Sequence, residues 1–301
     1  MNNQELKPKK IITNLYEHFK DAPKKLKIVC DWDEVIQACE PYATWLATAE
    51  EATKRFDLKD RKFSSYFKNF WETSPPLVEY SSHDSKMKEQ FDDTNYKERI
   101  TRQKENKNSP NFYQQAPFLT ITDDLLKLIK EDKVEELIFL SSYDKRVFPN
   151  GDNRKQRIFD QTFDIINLEH KWKSFRSNFI HLQLIPFDET QGQSKVAWVD
   201  EQLRQGNKID IVIDSNPRIY GNISCLDALK NDNFNETKCS NCIMNDEKGE
   251  LKPQISELCS KCLRIIPIVC SPYYPAVESQ HDHDVLLLKT SVSDLTKENF
   301  K

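Results

Sequence analysis

Apolar residues along this chain fall into short runs separated by amphipathic stretches, the pattern of strands alternating with helices. Lys27 to Cys30 is a mostly apolar run that ends on Asp31, Trp32 and Asp33, and it predicts a buried strand. Before it, residues 11–20 read as a short helix closed by the turn Asp21-Ala22-Pro23. After it, Tyr42, Trp45, Leu46 and Ala49 recur at helical spacing over 41–56. A second strand is predicted at VEELIFLSS, a third at 179–187, a fourth at 209–214 and a fifth at RIIPIVCSPYYPAV. Between them lie a helix carrying Leu125, Leu126, Leu128 and Ile129 (with Thr122 and Asp123 as caps), one over 152–170, and one opened by Ser194 and Lys195 and ended by Gly206. This alternation predicts an α/β fold: a three-layer, Rossmann-like parallel sheet covered on both faces.

Residues 57–110 break the rhythm. Phe63, Tyr66, Phe67, Phe70 and Trp71 precede a Pro75–Pro76 break, and the aromatics suit a cap core better than a base-stacking platform. The charge-rich run 82–108 offers little to bury, so it reads as a solvated helix pair or a partly disordered segment whose removal spares the core. Lysines and arginines in 86–107 are interleaved with Asp92, Asp93, Glu98 and Glu105, a weak nucleic-acid signal.

Composition narrows the function classes. With 5 glycines the chain has no G-x-G-x-x-G and no Walker loop, which excludes Gly-rich nucleotide cradles. A net charge of −4 argues against a whole-chain nucleic-acid coat. No window approaches the ~20 apolar residues of a membrane span, and residues 1–19 lack the apolar stretch of a signal peptide. The expectation is an intracellular, cytoplasmic protein with no membrane partner. Asn222 and Asn235, each in Asn-x-Ser/Thr, are then incidental.

The candidate chemistry sits at predicted element ends: Asp31 and Asp33 after the first strand, Ser141 (or Ser142) at the end of the second, Lys195 at a helix start, and Asp214 ending the fourth. Each alone has an ordinary structural explanation. Asp33 fits a helix cap, Lys195 a solvated surface lysine, and Asp214 turn chemistry in Asp-Ser-Asn-Pro. Parallel strands place their carboxyl ends on one edge, where these groups can meet. Two carboxylates, a hydroxyl, an ammonium and a further carboxylate suit magnesium-assisted phosphoryl transfer.

IVCDWDEV, IFLSS, SKVAWV and IVIDSNP, in that order, resemble the four motifs of the haloacid dehalogenase (HAD) superfamily, with a finer likeness to its 5'(3')-deoxyribonucleotidase branch. The resemblance implies Asp31 as the nucleophile that forms an aspartyl-phosphate, and Asp33 as the acid and then the base. It implies Ser141 and Lys195 on the phosphoryl oxygens. Mg²⁺ would be held by Asp31, the backbone carbonyl of Asp33, and Asp214. Two departures stand out: Glu34 follows the second Asp where many relatives have Gly, and Ser215 follows Asp214 where many have a second acid.

Cys239, Cys242, Cys259 and Cys262 form C-x2-C-x16-C-x2-C, the spacing of a tetrahedral Cys₄ zinc site. Lys238 and Lys261 favour thiolates there. Paired cysteines rather than a disulfide framework fit a reducing compartment. His281 and His283 read as solvated residues. The expected organisation is a HAD-like core (1–40, 115–235 and 264–301), a helical cap (41–114) and a zinc-ribbon insertion (236–263). The reaction expected is hydrolysis of a small phosphorylated substrate, nucleoside monophosphates first. Two alternatives stay open: a binding module without turnover whose ribbon engages protein or nucleic acid, and a phosphatase of polynucleotide ends.

Overall fold

The computed structural model describes residues 10–72, 96–170, 179–187, 193–215, 266–270 and 286–295. The four cysteines of the expected zinc site, His281 and His283, and residues 82–95 lie outside the described residues.

Among the described residues, β1 (Lys10–Ile12), β2 (Leu26–Cys30), β3 (Val134–Tyr143), β4 (Ile180–Pro186), β5 (Ile211–Asp214), β6 (Ile266–Cys270) and β7 (Leu286–Leu288) form one sheet ordered β1-β7-β6-β5-β2-β3-β4. Every pairing is parallel. The chain runs outward through β2, β3 and β4, then returns to lay β5 on the other side of β2. That reversal makes the carboxyl ends of β2 and β5 the topological switch point, where doubly wound sheets open a crevice. β5 is buried at every position, and Leu137, Ile138, Phe139, Leu140 and Ser141 are buried in unbroken succession. Continuous burial is what helices on both faces impose.

The helices begin and end close to where the periodicity puts them: Cys39–Arg55, Thr120–Lys130, Asn153–His170 and Gln193–Arg204. Pro41 stands in the first turn of Cys39–Arg55, where no intrahelical donor is lost. Gly206 follows the last helix at φ +82°, the left-handed stop a glycine makes cheaply.

Three expectations are corrected. Residues 11–20 are not one helix: Lys10–Ile12 pairs with Leu286–Leu288, and the helix is only Leu15–Phe19, capped by the Asn14 side chain. Thr122 and Asp123 do not cap Thr120–Lys130, because tertiary partners take their side chains. Thr122 donates to the Ile36 carbonyl (3.0 Å), and Asp123 accepts from Ser293 (2.6 Å). The described part of 82–108 is a helix, Tyr96–Asn108, packed on Cys39–Arg55. Gln103 is buried there, Tyr96 and Ile100 are partly buried against the core, and Arg99 pairs with Glu51. Removing that helix would strip a face of its neighbour.

Candidate active site

Asp31 continues β2 by one residue, since its amide still donates to the Ile213 carbonyl of β5 at 2.8 Å. Alternation along an extended chain then turns Trp32 away from its neighbours. The indole is fully buried, edge-on to Phe139 (5.3 Å between ring centres) and Phe159 (6.4 Å). Its Nε1 donates to Gln37 Oε1 at 2.9 Å, and the Gln37 amide donates to the carbonyls of Tyr113 and Ala116, both at 2.8 Å. Trp32 and Gln37 thus brace the loop from beneath, leaving Asp31 and Asp33 on its other side.

Two clusters, each centred on a lysine ammonium, form at the strand ends. In the first, the buried Lys195 ammonium lies 2.7 Å from Asp31 Oδ2 and 2.8 Å from Asp214 Oδ2. Burial works against its charge, but Asp214 and Asp31 outweigh that and hold its pKa above the ordinary lysine value. In the second, the Lys155 ammonium donates to Asp33 Oδ2 (3.0 Å), Ser141 Oγ (2.8 Å) and the Ser142 carbonyl (2.7 Å). Ser141 therefore presents its hydroxyl to the site, whereas Ser142 contributes a main-chain oxygen. Tyr113 donates to Asp33 Oδ2 at 3.3 Å. Burial alone would raise the Asp33 pKa, yet the charges of Lys155 and Lys107 and the Lys155 hydrogen bond hold it down at about 2. Asp33 is an anion at neutral pH in the free protein.

The structure thus brings together all five residues expected from the sequence, in two groups on neighbouring strands. It adds Lys155, which the sequence did not distinguish from other helical lysines. A cation one turn into the helix after the hydroxyl strand was the available signal.

Glu34 explains one departure from the HAD pattern. Its φ is +60°, the left-handed conformation that glycine adopts without penalty and other residues at a cost of ~1 kcal/mol. The side chain offsets this: Glu34 Oε1 accepts the Glu40 amide at 2.5 Å. Ala38, the N-cap of Cys39–Arg55, offers no side-chain acceptor, so Glu34 caps that helix from a distance, and Asp33 is not its cap. Burial pushes the Glu34 carboxyl well above its usual range, with Asp33 and Glu40 adding to the effect against Lys107. The folded state therefore keeps a proton that the unfolded chain releases above about pH 4.3. Stability is full below that pH and declines as pH rises toward the folded value, by at most ~1.4 kcal/mol per unit. Glu34→Gln keeps the acceptor oxygen and removes the titration. Melting temperatures measured from pH 4 to 8 should show the variant gaining on the wild type as pH rises; parallel curves would mean that Glu34 is ionised.

Asp31 and Asp214 supply two hard carboxylate oxygens converging on one cation, an arrangement that fits Mg²⁺. That ion commonly takes one or two carboxylates and completes its shell with water and phosphate. Among the described residues no larger cluster of His, Cys, Asp or Glu gathers at one point. Ser215, buried beside Asp214, adds no charge.

No family model matches this chain, and no curated protein is similar to it. Among solved structures, it is similar to a provisionally assigned phosphatase from Clostridium difficile, with 13% identity, TM-score 0.35, and coverage of 88% of this chain and 94% of that one. It is also similar to a provisionally assigned beta-phosphoglucomutase from Bacteroides vulgatus, with 12% identity, TM-score 0.31, and coverage of 91% and 88%. At these scores the likeness adds nothing to the chemistry read from the side chains.

Proposed function

We propose that this chain is a Mg²⁺-dependent phosphomonoester hydrolase working through an aspartyl-phosphate, with nucleoside monophosphates as the first substrate class to try. The observation that carries the reading is the paired geometry at the switch point: Asp31 and Asp214 share Lys195, while Asp33 and Ser141 share Lys155.

Asp31 attacks phosphorus through Oδ2, the oxygen facing Lys195. Its Oδ1 stays on the Trp32 amide (2.7 Å), which fixes the carboxylate plane. Lys195, Lys155 and Ser141 meet the phosphoryl oxygens and offset their charge. Asp31, Asp214 and the Asp33 carbonyl would hold Mg²⁺, which when bound neutralises phosphate charge. Asp33 is ionised at rest, so it acts as acid only after an arriving phosphate dianion draws Lys155 away, raises its proton affinity and lets it take a proton from solvent. It then hands that proton to the leaving oxygen and takes one from the water that attacks the aspartyl-phosphate. This resting state matches the second, water-activating half of the cycle.

Cys239, Cys242, Cys259 and Cys262 are proposed to hold one structural Zn²⁺, since a segment of that size draws its folding energy from metal. Its contact with a protein or nucleic acid remains the accompanying proposal. Among the described residues no helix is long and apolar enough to cross a membrane.

The test is phosphate release from a panel of nucleoside and sugar monophosphates, with Mg²⁺ and with EDTA, on protein first assayed for metal. Turnover that EDTA abolishes, with about one zinc per chain, is expected. Mg²⁺ binding without turnover of any monophosphate would instead favour the binding module, and zinc-free fresh, reduced protein would remove the ribbon.

A further inference from the structure

We infer that Lys107, which lies in none of the motifs, is a positioning residue that closes a ring of contacts around the Asp33 half of the site. The inference rests on the hydrolase reading for its kinetic consequence, but its structural content stands apart from it.

One arm of the ring leaves through the side chain. The Lys107 ammonium pairs with Glu40 Oε1, and Glu40 Oε2 accepts Gln103 Nε2 at 2.6 Å. Gln103 also reaches Thr44 Oγ1 at 3.1 Å, so two side chains of Tyr96–Asn108 grip Cys39–Arg55 near its start. The Glu40 amide donates to Glu34, whose backbone adjoins Asp33.

The other arm leaves through the main chain. Lys107 is next to last in its helix, where carbonyls lack intrahelical donors, and its carbonyl accepts Arg154 Nη1. Arg154 is itself fixed. It forks onto Asp152 at 2.9 and 2.8 Å and lies over Phe148 (4.2 Å) and Tyr113 (5.2 Å). The next residue is Lys155, whose ammonium returns to Asp33.

The circuit Asp33–Glu34–Glu40–Lys107–Arg154–Lys155–Asp33 therefore passes through one residue of Tyr96–Asn108. A proton donor must sit within hydrogen-bond reach of the leaving oxygen, about 2.6–3.2 Å between heavy atoms, and the groups that hold Asp33 come from separate elements: the loop after β2 and the helices Cys39–Arg55, Tyr96–Asn108 and Asn153–His170. Closing the ring through Lys107 makes the loop after β2 and the start of Asn153–His170 move together. Asp31 and Lys195 lie outside the circuit, so the nucleophile keeps its aim, whereas Asp33 and Lys155 lose theirs.

The test compares wild type, Lys107→Met and Lys107→Arg on 4-nitrophenyl phosphate, which leaves without help, and 2-glycerol phosphate, which needs a proton. Lys107→Met should lower kcat/KM on 2-glycerol phosphate by roughly 10–100-fold, a ratio that ends at aspartyl-phosphate formation and so leaves out the water activation that both esters share. It should affect 4-nitrophenyl phosphate much less, and Lys107→Arg should restore most of the loss. Equal losses on both esters would show a general structural role and overturn the inference. If the wild type hydrolyses neither ester, the hydrolase reading fails, and hydrogen exchange decides the ring. In Lys107→Met, amides of 34–40 and of 153–156 should both lose protection; loss confined to 96–108 would refute it.

Discussion

Asp31→Asn will fold normally and release no phosphate above background. The amide matches the carboxylate in shape, and its Oδ1 still accepts the Trp32 amide, so the loop after β2 keeps its support. What disappears is the charge proposed to attack phosphorus, together with one of the two anions that hold Lys195. Loss of a nucleophile removes about 10⁴-fold or more of the rate. Asp33→Asn gives a different pattern. The attack remains possible with a good leaving group, but no base activates water, so phosphorylated protein should accumulate and mass spectrometry should find it on Asp31. The steady-state loss there is expected at roughly 10²–10⁴-fold. An Asp31→Asn variant that keeps its activity would move the attack to another group.

Lys155→Met should be the most destabilising of the site variants. Lys155 is 3% exposed, and its removal leaves the Asp33 carboxylate partly buried without its main counter-charge. Breaking a fully buried pair from one side costs about 3–5 kcal/mol. Asp33 keeps 22% exposure, which lets water take up part of the deficit, so about 2–3 kcal/mol is expected. The sign of the pH dependence is fixed by the depressed Asp33 pKa. Its contribution to wild-type stability is present above the unfolded value near pH 4 and fades as pH falls through about 2. The gap between wild type and Lys155→Met should therefore be widest at neutral pH and close in acid. Adding Asp33→Asn to Lys155→Met should recover part of the stability, because the uncompensated anion is gone. Denaturant midpoints at pH 7 and pH 3 measure both effects, and a gap that stays constant with pH would show that Lys155 acts by packing alone.

Much of the site was legible because its residues lie where local sequence writes them. Asp31 and Asp214 directly end apolar runs, Ser141 ends another, and Lys195 opens a helix, so strand–helix alternation alone brings them to one edge. Lys155 and Lys107 carry no such mark. Lys107 is one of three lysines in its helix and Lys155 stands beside Arg154 and Arg157 in its own, and the role of each is created by which element packs above it. The same holds for Gln37, a polar residue in a turn that becomes a buried strut only when the Tyr113 and Ala116 carbonyls descend on it. Glu34 was legible as an anomaly but not as a solution, since the bond that justifies it depends on where Cys39–Arg55 begins. The two three-residue strands, β1 and β7, were missed because so few residues have no periodicity to read. Long-range pairing alone defines them.

The pairing of β1 with β7 sets an order of assembly. Lys10 lies opposite Leu286, so this contact must wait until almost all of the described chain has left the ribosome. Closing so long a loop is entropically dear, and such contacts slow folding. Until then the Ile11–Ile12 edge is an open template for any passing strand. Its brevity, and the lysine at its start, limit that exposure during synthesis. The switch point needs no such wait on β1, because β2, β3 and β5 already span it, so the edge that carries Asp31, Ser141 and Asp214 can form before the far side of the sheet is sealed.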